Sequence, residues 1–282
     1  MKDIEEVNLE FSVLMSVYKK ENPLYLKECL DSLAEQTVQP NEIVLIEDGP
    51  LTADLYKILN DFESQHIKLL NRKSLEKNVG LGKALAIGIE YCQYPLIARM
   101  DTDDIALNTR FEKQLREFME NPELGIVGSD INEFEDRISN IVTKRVVPHS
   151  HEDIMETARR RNPFNHMTVV YKKEEVLKAG NYMVLNGFED YYLWVRMLKN
   201  GSIAKNLPEV LVNARAGKEM FMRRGGYNYF KDSKLARKKI YEVGLNSYMD
   251  YFLSTSGQFI VSMMPNRLRA YVYTKLLRRE SR

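Results

Sequence analysis

Short apolar runs alternate with amphipathic stretches over the first 130 residues of the chain. The apolar runs predict strands, and stretches in which apolar residues recur every three to four positions predict helices. Strands are predicted at 11–17, 42–46, 67–70, 94–98 and 125–128, and helices at 24–34, 53–63, 84–91 and 109–119. Regular alternation of strand and helix with short connections is typical of an α/β protein with an open, mostly parallel sheet flanked by helices.

Beyond residue 130 this periodicity weakens. β-like segments at 138–147 and 167–171 mix with helices, one of which is predicted at 191–199. We therefore expect a single α/β domain over residues 1–214, regular at about 10–130 and less regular at 131–214. A basic, mainly helical region is expected to follow at 215–282.

Basic residues are concentrated in that last region. The whole chain of 282 residues has a formal net charge of +1, yet residues 215–282 contain 15 Lys or Arg against 5 Asp or Glu. Aromatic and basic residues alternate at 227–239, and apolar and basic residues recur at helical spacing at 267–279. Such helices either pack their apolar stripe on the domain or lie on an anionic membrane surface. Nucleic acid is not expected as a partner, because no recognition motif accompanies the charges.

The remaining composition is ordinary. Hydrophobic residues make up 44% and charged residues 29% of the chain, as in soluble globular proteins. Neither a signal peptide nor an apolar window long enough to span a bilayer is predicted. We expect the protein in the cytoplasm, with peripheral contact to the inner face of the cell membrane. The oligomeric state is left open.

Three carboxylates follow the predicted strand at 94–98 within four residues: Asp101, Asp103 and Asp104. Their mutual repulsion must be offset by positive charge. A divalent cation with oxygen ligands, Mn²⁺ or Mg²⁺, is the natural partner and usually arrives with substrate phosphates. Alternatively, one of the acids caps or charges the start of the helix at 109–119, which leaves two unexplained.

Other polar residues follow predicted strands. Tyr18 comes directly after the first strand and Asp48 lies in the turn that closes the second, so both belong to the edge where ligands bind in such sheets. Gly80 and Lys83 lie in a glycine-bearing turn before a helix. This turn either offers amides and a cation to a phosphate or is simply a close-packed turn. The complete dinucleotide and P-loop fingerprints are both missing from it.

Two adjacent acids, Glu189 and Asp190, precede an aromatic run at the start of a predicted helix. Acids at this position favour the helix dipole. In an apolar setting, however, desolvation also raises the pKa of a carboxyl group toward the range useful for a general base. His166, which lies where a loop enters a strand, is a further candidate for a site residue.

The order of these motifs resembles the inverting glycosyltransferase family 2. More narrowly, it is similar to the bacterial capsule and exopolysaccharide branch, which acts on lipid-linked saccharides. The motifs are the strand at 11–18, Glu47-Asp48-Gly49, Asn78 to Leu85, Ala98 to Asp104, and Glu189-Asp190. The resemblance covers about residues 10 to 225.

This resemblance implies a GT-A fold, a nucleotide–sugar donor (usually a UDP-sugar), a saccharide acceptor that can be lipid-linked, and Mn²⁺ or Mg²⁺. Residues 10–130 would then form the donor half and 131–214 the acceptor half. The implied donor-binding residues are Ser16, Tyr18, Asp48, Asn78, Gly80, Lys83, Arg99, Asp101 and Asp103. The implied metal ligands are Asp103 and Asp104, the catalytic base is Asp190, and the acceptor-side residues are His166, Glu189 and Trp194.

The chain departs from the family pattern in two ways. Some relatives have a histidine metal ligand late in the chain, whereas no histidine follows His166 here. The QxxRW motif of processive synthases is also missing, which favours transfer of a single sugar. Two other functions remain open: a nucleotidyltransferase, which also combines an α/β sheet with acids and Mg²⁺, and an inactive transferase-like scaffold protein.

Overall fold

A computed structural model describes residues 9–216, 225–265 and 268–269 of the chain. Within these residues, nine strands form one sheet that is flanked by helices. The strands are β1 Phe11–Val17, β2 Glu42–Glu47, β3 Leu70–Ser74, β4 Leu96–Arg99, β5 Ile105–Ala106, β6 Leu124–Phe134, β7 Ile141–Arg145, β8 Val170–Lys172 and β9 Ile203–Arg215. The α-helices are α1 Pro23–Ala34, α2 Ala53–Gln65, α3 Leu81–Tyr91, α4 Arg110–Glu120, α5 His151–Ala158, α6 Lys173–Lys178, α7 Glu189–Lys199, α8 Gly226–Glu242 and α9 Tyr248–Met263.

The strand order is β3-β2-β1-β4-β8-β6-β9-β5, and β7 pairs with β6. The first four strands of this order are parallel, so the carboxyl ends of β1, β2 and β4 lie at one edge. Arg99 at the end of β4 is in register with Leu14, three residues before β1 ends at Val17. β4 therefore ends about three residues before the carboxyl end of β1, and the loop after β4 begins there. This arrangement confirms the mixed, mostly parallel sheet that the sequence predicted.

Successive residues of β1 pack into two separate cores, because neighbouring side chains of a strand point to opposite faces. Val13 and Met15 pack with α1, α2 and α4, whereas Leu14 packs with α3, α5 and α7. Both faces of the sheet are thus covered by helices. This is the reason why its central strands read as continuous apolar runs.

The third strand differs from its predicted position at 67–70. β3 begins at Leu70, and the preceding residues form a turn in which Lys68 has a φ of 69°. Ile67 is 79% exposed. Because β3 is the edge strand of the sheet, it needs only one buried side chain, Leu70, and its other residues can be polar. The apolar Ile67 therefore misled the prediction.

The less regular second half also resolves into shorter elements than predicted. The segment at 138–147 contributes only β7, which is paired with β6 across a turn. The segment at 167–171 divides into a 3₁₀ turn at His166–Thr168 and the start of β8. β8 is inserted antiparallel between β4 and β6 and joins the two halves of the sheet.

Two helices, α8 and α9, follow the sheet and agree with the predicted helical character of the C-terminal region. Ile240 of α8 is buried against Tyr191 and Val195 of α7, so this region packs on the domain. Of the apolar and basic pattern at 267–279, only Leu268 and Arg269 belong to the described residues. No helix in the described ranges combines the length and the apolar character needed to cross a bilayer.

Candidate active site

The three acids that follow β4 form a compact cluster. Asp101, Asp103 and Asp104 each offer a carboxylate oxygen, and these oxygens lie within 4.8 Å of one another. Their loop is held from α1 and the residues before it: the Thr102 hydroxyl donates to Glu21 at 2.5 Å, and Cys29 Sγ donates to the Asp101 carbonyl at 3.1 Å. The loop is therefore fixed by contacts that leave the carboxylates facing each other.

Burial and mutual repulsion raise the pKa of these acids. Desolvation, with the charges of Asp101 and Glu21, raises the pKa of Asp103 to about 7. Desolvation, with the charges of Asp103 and Asp101, raises the pKa of Asp104 well above its ordinary value. Asp104 Oδ2 is buried and has no hydrogen-bond partner among the described residues. A cluster with an orphaned carboxylate oxygen and repelling charges fits a hard divalent cation.

The alternative role of these acids, at the start of the following helix, is not supported. The N-cap of α4 is Thr109, and no side chain caps that helix terminus. The strand β5 lies between the acids and the helix. The excess of carboxylates in this loop therefore cannot be explained by helix capping.

Arg99 lies between the acid cluster and the second half of the domain. Its side chain is 1% exposed and forms an ion pair with Asp101. Burial disfavours the charged guanidinium, but Asp101 outweighs this effect and raises the pKa of Arg99. Nε and Nη1 have no partner among the described residues. Its charge lowers the pKa of Asp104 and also that of Asp190, so Arg99 lies near carboxylates of both halves.

Arg215, the last residue of β9, is distant from the acid loop in sequence but contacts it directly. Its amide donates to Asp104 Oδ1 at 2.8 Å, and its Nε donates to the Asp103 carbonyl at 3.1 Å. Nη2 donates to Glu28 at 2.6 Å, and the guanidinium lies 3.7 Å from the centre of the Tyr25 ring. These contacts fix both the backbone and one carboxylate of the loop.

Asp48, at the end of β2, organises the turn before α3. Its carboxylate accepts hydrogen bonds from Asn78 Nδ2 at 2.8 Å and from the amides of Val79 and Gly80 at 2.6 and 3.1 Å. Gly49 has a φ of 87°, and a Cβ there would lie 2.7 Å from the Asn78 amide nitrogen. The two loops thus approach closely at the ligand-binding edge. Contact of Asp48 and its partners with a donor stays a prediction.

Three other predicted donor residues border the same edge. Ser16 is half-buried near the end of β1, and Tyr18, directly after this strand, is 41% exposed. Lys83 is exposed in the first turn of α3. The structure therefore leaves these side chains accessible to a ligand, and their roles stay predictions.

Asp190 lies in the first turn of α7, where two groups orient its carboxylate. Asn162 Nδ2 donates to Oδ2 at 2.6 Å, and the Tyr191 amide donates to Oδ1 at 2.7 Å. Burial raises the pKa of Asp190, while these hydrogen bonds and the charges of Arg99 and Arg145 act in the opposite direction. Such a carboxylate combines raised basicity with a fixed orientation, which is what a general base requires.

The neighbouring acid, Glu189, is buried, and desolvation raises its pKa. Its Oε2 has no hydrogen-bond partner in the described part of the chain. A Cβ at Gly82 would lie 3.1 Å from Glu189 Cβ, so the starts of α3 and α7 are in close contact. Glu189 therefore lies between the two helices, and its predicted place on the acceptor side stays a prediction.

His166 and Trp194 belong to an aromatic cluster beneath the site. His166 Nε2 and the Tyr182 hydroxyl are 2.9 Å apart, and burial lowers the pKa of His166 well below its ordinary value. The ring centres of His166 and Trp194 are 5.9 Å apart. Trp194 is fully buried, so its position does not support direct contact with an acceptor. The Trp194 ring instead packs edge to face against the His166 ring.

The reasoning from sequence missed two residues of this site. They are Asn162, which binds Asp190, and Arg215, which binds the acid loop. Asn162 precedes its partner Asp190 by 28 residues, and Arg215 follows Asp104 by 111 residues. Neither belongs to a spacing pattern, because both act through contacts made only in the folded chain. Arg215 was assigned instead to the start of the basic C-terminal region.

The mixed sheet, the acid cluster after β4 and the half-buried carboxylate on α7 together define a glycosyltransferase of the GT-A class. The sequence model of the family described as "Glycosyl transferase family 2" matches residues 12–178. The chain belongs to this family, as the sequence predicted.

Similar proteins extend over nearly the whole chain. An uncharacterised glycosyltransferase of Haemophilus influenzae is 42% identical over 96% of this chain and 100% of its own length. The amylovoran biosynthesis glycosyltransferase AmsE of Erwinia amylovora is 39% identical over 94% of this chain and 98% of its own. The third relative, from Escherichia coli, is 37% identical over 96% of this chain and 97% of its own. It is named UDP-Gal:alpha-D-GlcNAc-diphosphoundecaprenol beta-1,3-galactosyltransferase. These relatives agree with the predicted bacterial polysaccharide branch of the family.

A solved structure supports the fold. The crystal structure of S. aureus TarS 1–349 in complex with UDP aligns with a TM-score of 0.59 at 18% identity. The alignment covers 82% of this chain and 65% of that one. At this level of identity the likeness concerns the fold, and it confirms the predicted GT-A architecture.

Proposed function

We propose that this glycosyltransferase inverts the anomeric centre as it moves one sugar from a UDP-sugar to a saccharide acceptor, with the help of Mn²⁺ or Mg²⁺. The acceptor is lipid-linked, and the reaction serves cell-surface polysaccharide biosynthesis at the cytoplasmic face of the membrane. One observation carries the proposal. A cluster of acids that suits a cation and an oriented, half-buried carboxylate, Asp190, lie around the same arginine, Arg99.

The donor belongs at the edge formed by β1, β2 and β4. Asp103 and Asp104 would hold the cation there, and Ser16, Tyr18 and Asp48 border the space for the nucleoside. A bound divalent cation supplies positive charge that stabilises the diphosphate leaving group. The weakly bound cation expected from a site without a histidine ligand would depend on the donor for part of its coordination.

The acceptor side supplies the base. Asp190 takes the proton from an acceptor hydroxyl while that oxygen bonds to the anomeric carbon. The bond between the anomeric carbon and the diphosphate oxygen breaks at the same time, and UDP leaves with its electron pair. One displacement inverts the configuration, and the second carboxylate nucleophile of a retaining reaction is not required.

The relatives support the choice of substrates. The E. coli relative is named for transfer from UDP-Gal to GlcNAc on diphosphoundecaprenol. Family membership also favours glycosyl transfer over nucleotidyl transfer. Peripheral contact with an anionic membrane is supported by exposed lysines of α8, such as Lys234 and Lys238, and by exposed apolar residues of α9, such as Phe252 and Ile260.

Release of UDP from a panel of UDP-sugars, with a lipid-linked saccharide acceptor and with or without Mn²⁺, tests this proposal. We expect one donor to be consumed only with metal and the product to have the opposite anomeric configuration, as read by NMR. Asp104→Asn should lower the rate by at least about 10²-fold, because the charge that stabilises the leaving group is lost. Asp61→Asn, a change at an exposed acid of α2, is the matched control.

Undiminished, metal-dependent turnover in both Asp103→Asn and Asp104→Asn would contradict the metal assignment. Release of diphosphate from a nucleoside triphosphate would identify a nucleotidyltransferase. If no nucleotide sugar is consumed, even by slow hydrolysis without acceptor, the scaffold alternative is favoured.

A further inference from the structure

A cavity of about 440 Å³ lies between the transferase domain and the two C-terminal helices. Its walls come from the end of β7 and the loop after it, from residues 160–162 after α5, and from α8 and α9. This volume is within the range of small-molecule sites in proteins. None of the predicted donor residues lines it, so the cavity is separate from the donor edge described above.

The cavity is strongly basic. Arg145, Arg160, Arg161 and Arg237 all line it, and no acidic residue lines it among the residues that the structure describes. The buried Asp250 contacts Arg160 at 2.7 Å, which offsets part of this charge from behind. Arg161 forms no ion pair with any residue that the structure describes. The cavity therefore carries an excess of positive charge that suits a ligand with more than one negative charge.

One residue of the cavity wall, Asn162, contacts the carboxylate of Asp190, the proposed base. Asn162 lines the cavity and donates to Asp190 Oδ2 at 2.6 Å. Arg145 also lines it, and its charge lowers the pKa of Asp190. A single residue thus separates the basic cavity from the base. A ligand with its anionic group in the cavity would therefore have its next group close to Asp190.

The part of the cavity wall that comes from α9 is mixed, since Ser254 and Gln258 lie there beside apolar residues. Leu253 and Val261 line it, and Gly257 between them leaves the backbone accessible. Leu253 is exposed, and on the same helix the large apolar side chains of Phe252 and Ile260 are exposed as well. The polar and apolar parts of the wall together match a ligand in which an anionic group is joined directly to an alkyl chain.

We propose that this cavity binds the diphosphate that links the acceptor sugar to its lipid, and that the first part of the lipid chain lies on α9. The proposal rests on the proposed function, since it specifies how the acceptor of that reaction is held. Arginine guanidinium groups bind phosphate oxygens through paired, charge-assisted hydrogen bonds, which makes them suited to this task. Arg161 and Arg237 both line the cavity and would each contact the diphosphate.

The binding test uses geranyl diphosphate as the probe, by isothermal titration calorimetry with the full chain. Saturating UDP and Mn²⁺ are present throughout so that the donor site is filled. We expect Arg161→Gln and Arg237→Gln each to weaken binding by about tenfold, since each removes a hydrogen bond between charged groups. Arg161→Lys should weaken it less, because it keeps the charge. Arg116→Gln, an equal loss of charge on the exposed face of α4, should not change it.

The kinetic test compares two acceptors with the same sugar, an alkyl diphosphate conjugate and a neutral alkyl glycoside. In the wild type we expect kcat/KM to be higher for the diphosphate acceptor, and this preference should fall about tenfold in Arg161→Gln, mainly through KM. Circular dichroism and binding of UDP check that each variant is folded.

The outcomes separate the two proposals. Transfer with no diphosphate preference, or a preference unchanged in both arginine variants, overturns the cavity assignment while the proposed function stands. Arginine-dependent binding of geranyl diphosphate without any transfer supports the cavity and overturns the proposed function. Inorganic diphosphate that binds as tightly as geranyl diphosphate would identify a site for free anions and overturn the assignment to a lipid-linked ligand.

Discussion

The hydrogen bond from Asn162 to Asp190 gives a sharp test of the assigned base. Asn162→Ala removes a donor at 2.6 Å from Oδ2 and leaves the Tyr191 amide at 2.7 Å from Oδ1. This donor favours the ionised carboxylate and lowers its pKa. Its loss must therefore raise the pKa of Asp190 above that in the wild type. Since the base is active only when ionised, the rising limb of the rate against pH should move to higher pH.

The size of the effect follows from the kind of hydrogen bond that is lost. A hydrogen bond to a charged group contributes about 1.5 to 3 kcal/mol. We use the lower end, because Asp190 keeps the Tyr191 amide and the nearby charges of Arg99 and Arg145. About 1.5 kcal/mol corresponds to roughly one pH unit, or a tenfold loss of rate on the acidic limb. On the plateau at higher pH the rate should differ far less.

The assay is kcat against pH, from release of UDP at saturating donor, acceptor and Mn²⁺. Asn140→Ala, a change at an exposed asparagine in the turn between β6 and β7, is the control and should leave the profile in place. A profile that coincides with that of the wild type, or that moves to lower pH, would refute the assignment of Asp190 as the base held by Asn162. An equal loss of kcat at every pH would mean that Asn162 only positions the carboxylate.

Three further outcomes are expected. Asp190→Asn should keep the affinity for UDP and Mn²⁺, measured by calorimetry, while kcat falls by at least about 10²-fold; lost UDP binding would place this residue in the donor site instead. Arg215→Met should raise the Mn²⁺ concentration needed for half-maximal rate several-fold, because the side chain that joins the Asp103 carbonyl to Glu28 is lost. An unchanged Mn²⁺ titration would show that the backbone amide of residue 215 alone holds the loop. The protein should sediment with vesicles that contain anionic lipid and be released by high salt; equal binding to neutral vesicles would leave α8 and α9 as ordinary packing elements.

The fold could be predicted where the pattern of apolar residues along the chain directly reflects which side chains are buried. β1, β2 and β4 are buried on both faces, so they appear as apolar runs, and their helices show one apolar stripe each. β3 was misplaced because an edge strand needs little apolar surface. The antiparallel position of β8 between β4 and β6 was not predictable either, since the partner of a strand is not encoded in its own periodicity.

The candidate site divides in the same way. The acids at 101–104 and the pair at 189–190 form local patterns, so their chemistry could be inferred before their positions were known. The residues that hold them, Asn162 and Arg215, are ordinary in their local sequence. The acceptor-side role of Trp194 was implied only by the resemblance to the family, and the structure, which buries this side chain entirely, does not support it.

The contact between Arg215 and the acid loop has a consequence for the order in which the protein can mature. During synthesis, residues 101–104 leave the ribosome more than a hundred residues before Arg215 does. Until β9 joins β6, the Arg215 amide that donates a hydrogen bond to Asp104 is not in place, and the three carboxylates repel one another without it. A fragment that ends at residue 178, before β9, would carry every predicted cation ligand and still not form the site. The chain should therefore bind the cation only after β9, the last strand, has joined the sheet. Binding of the cation is then coupled to completion of the domain.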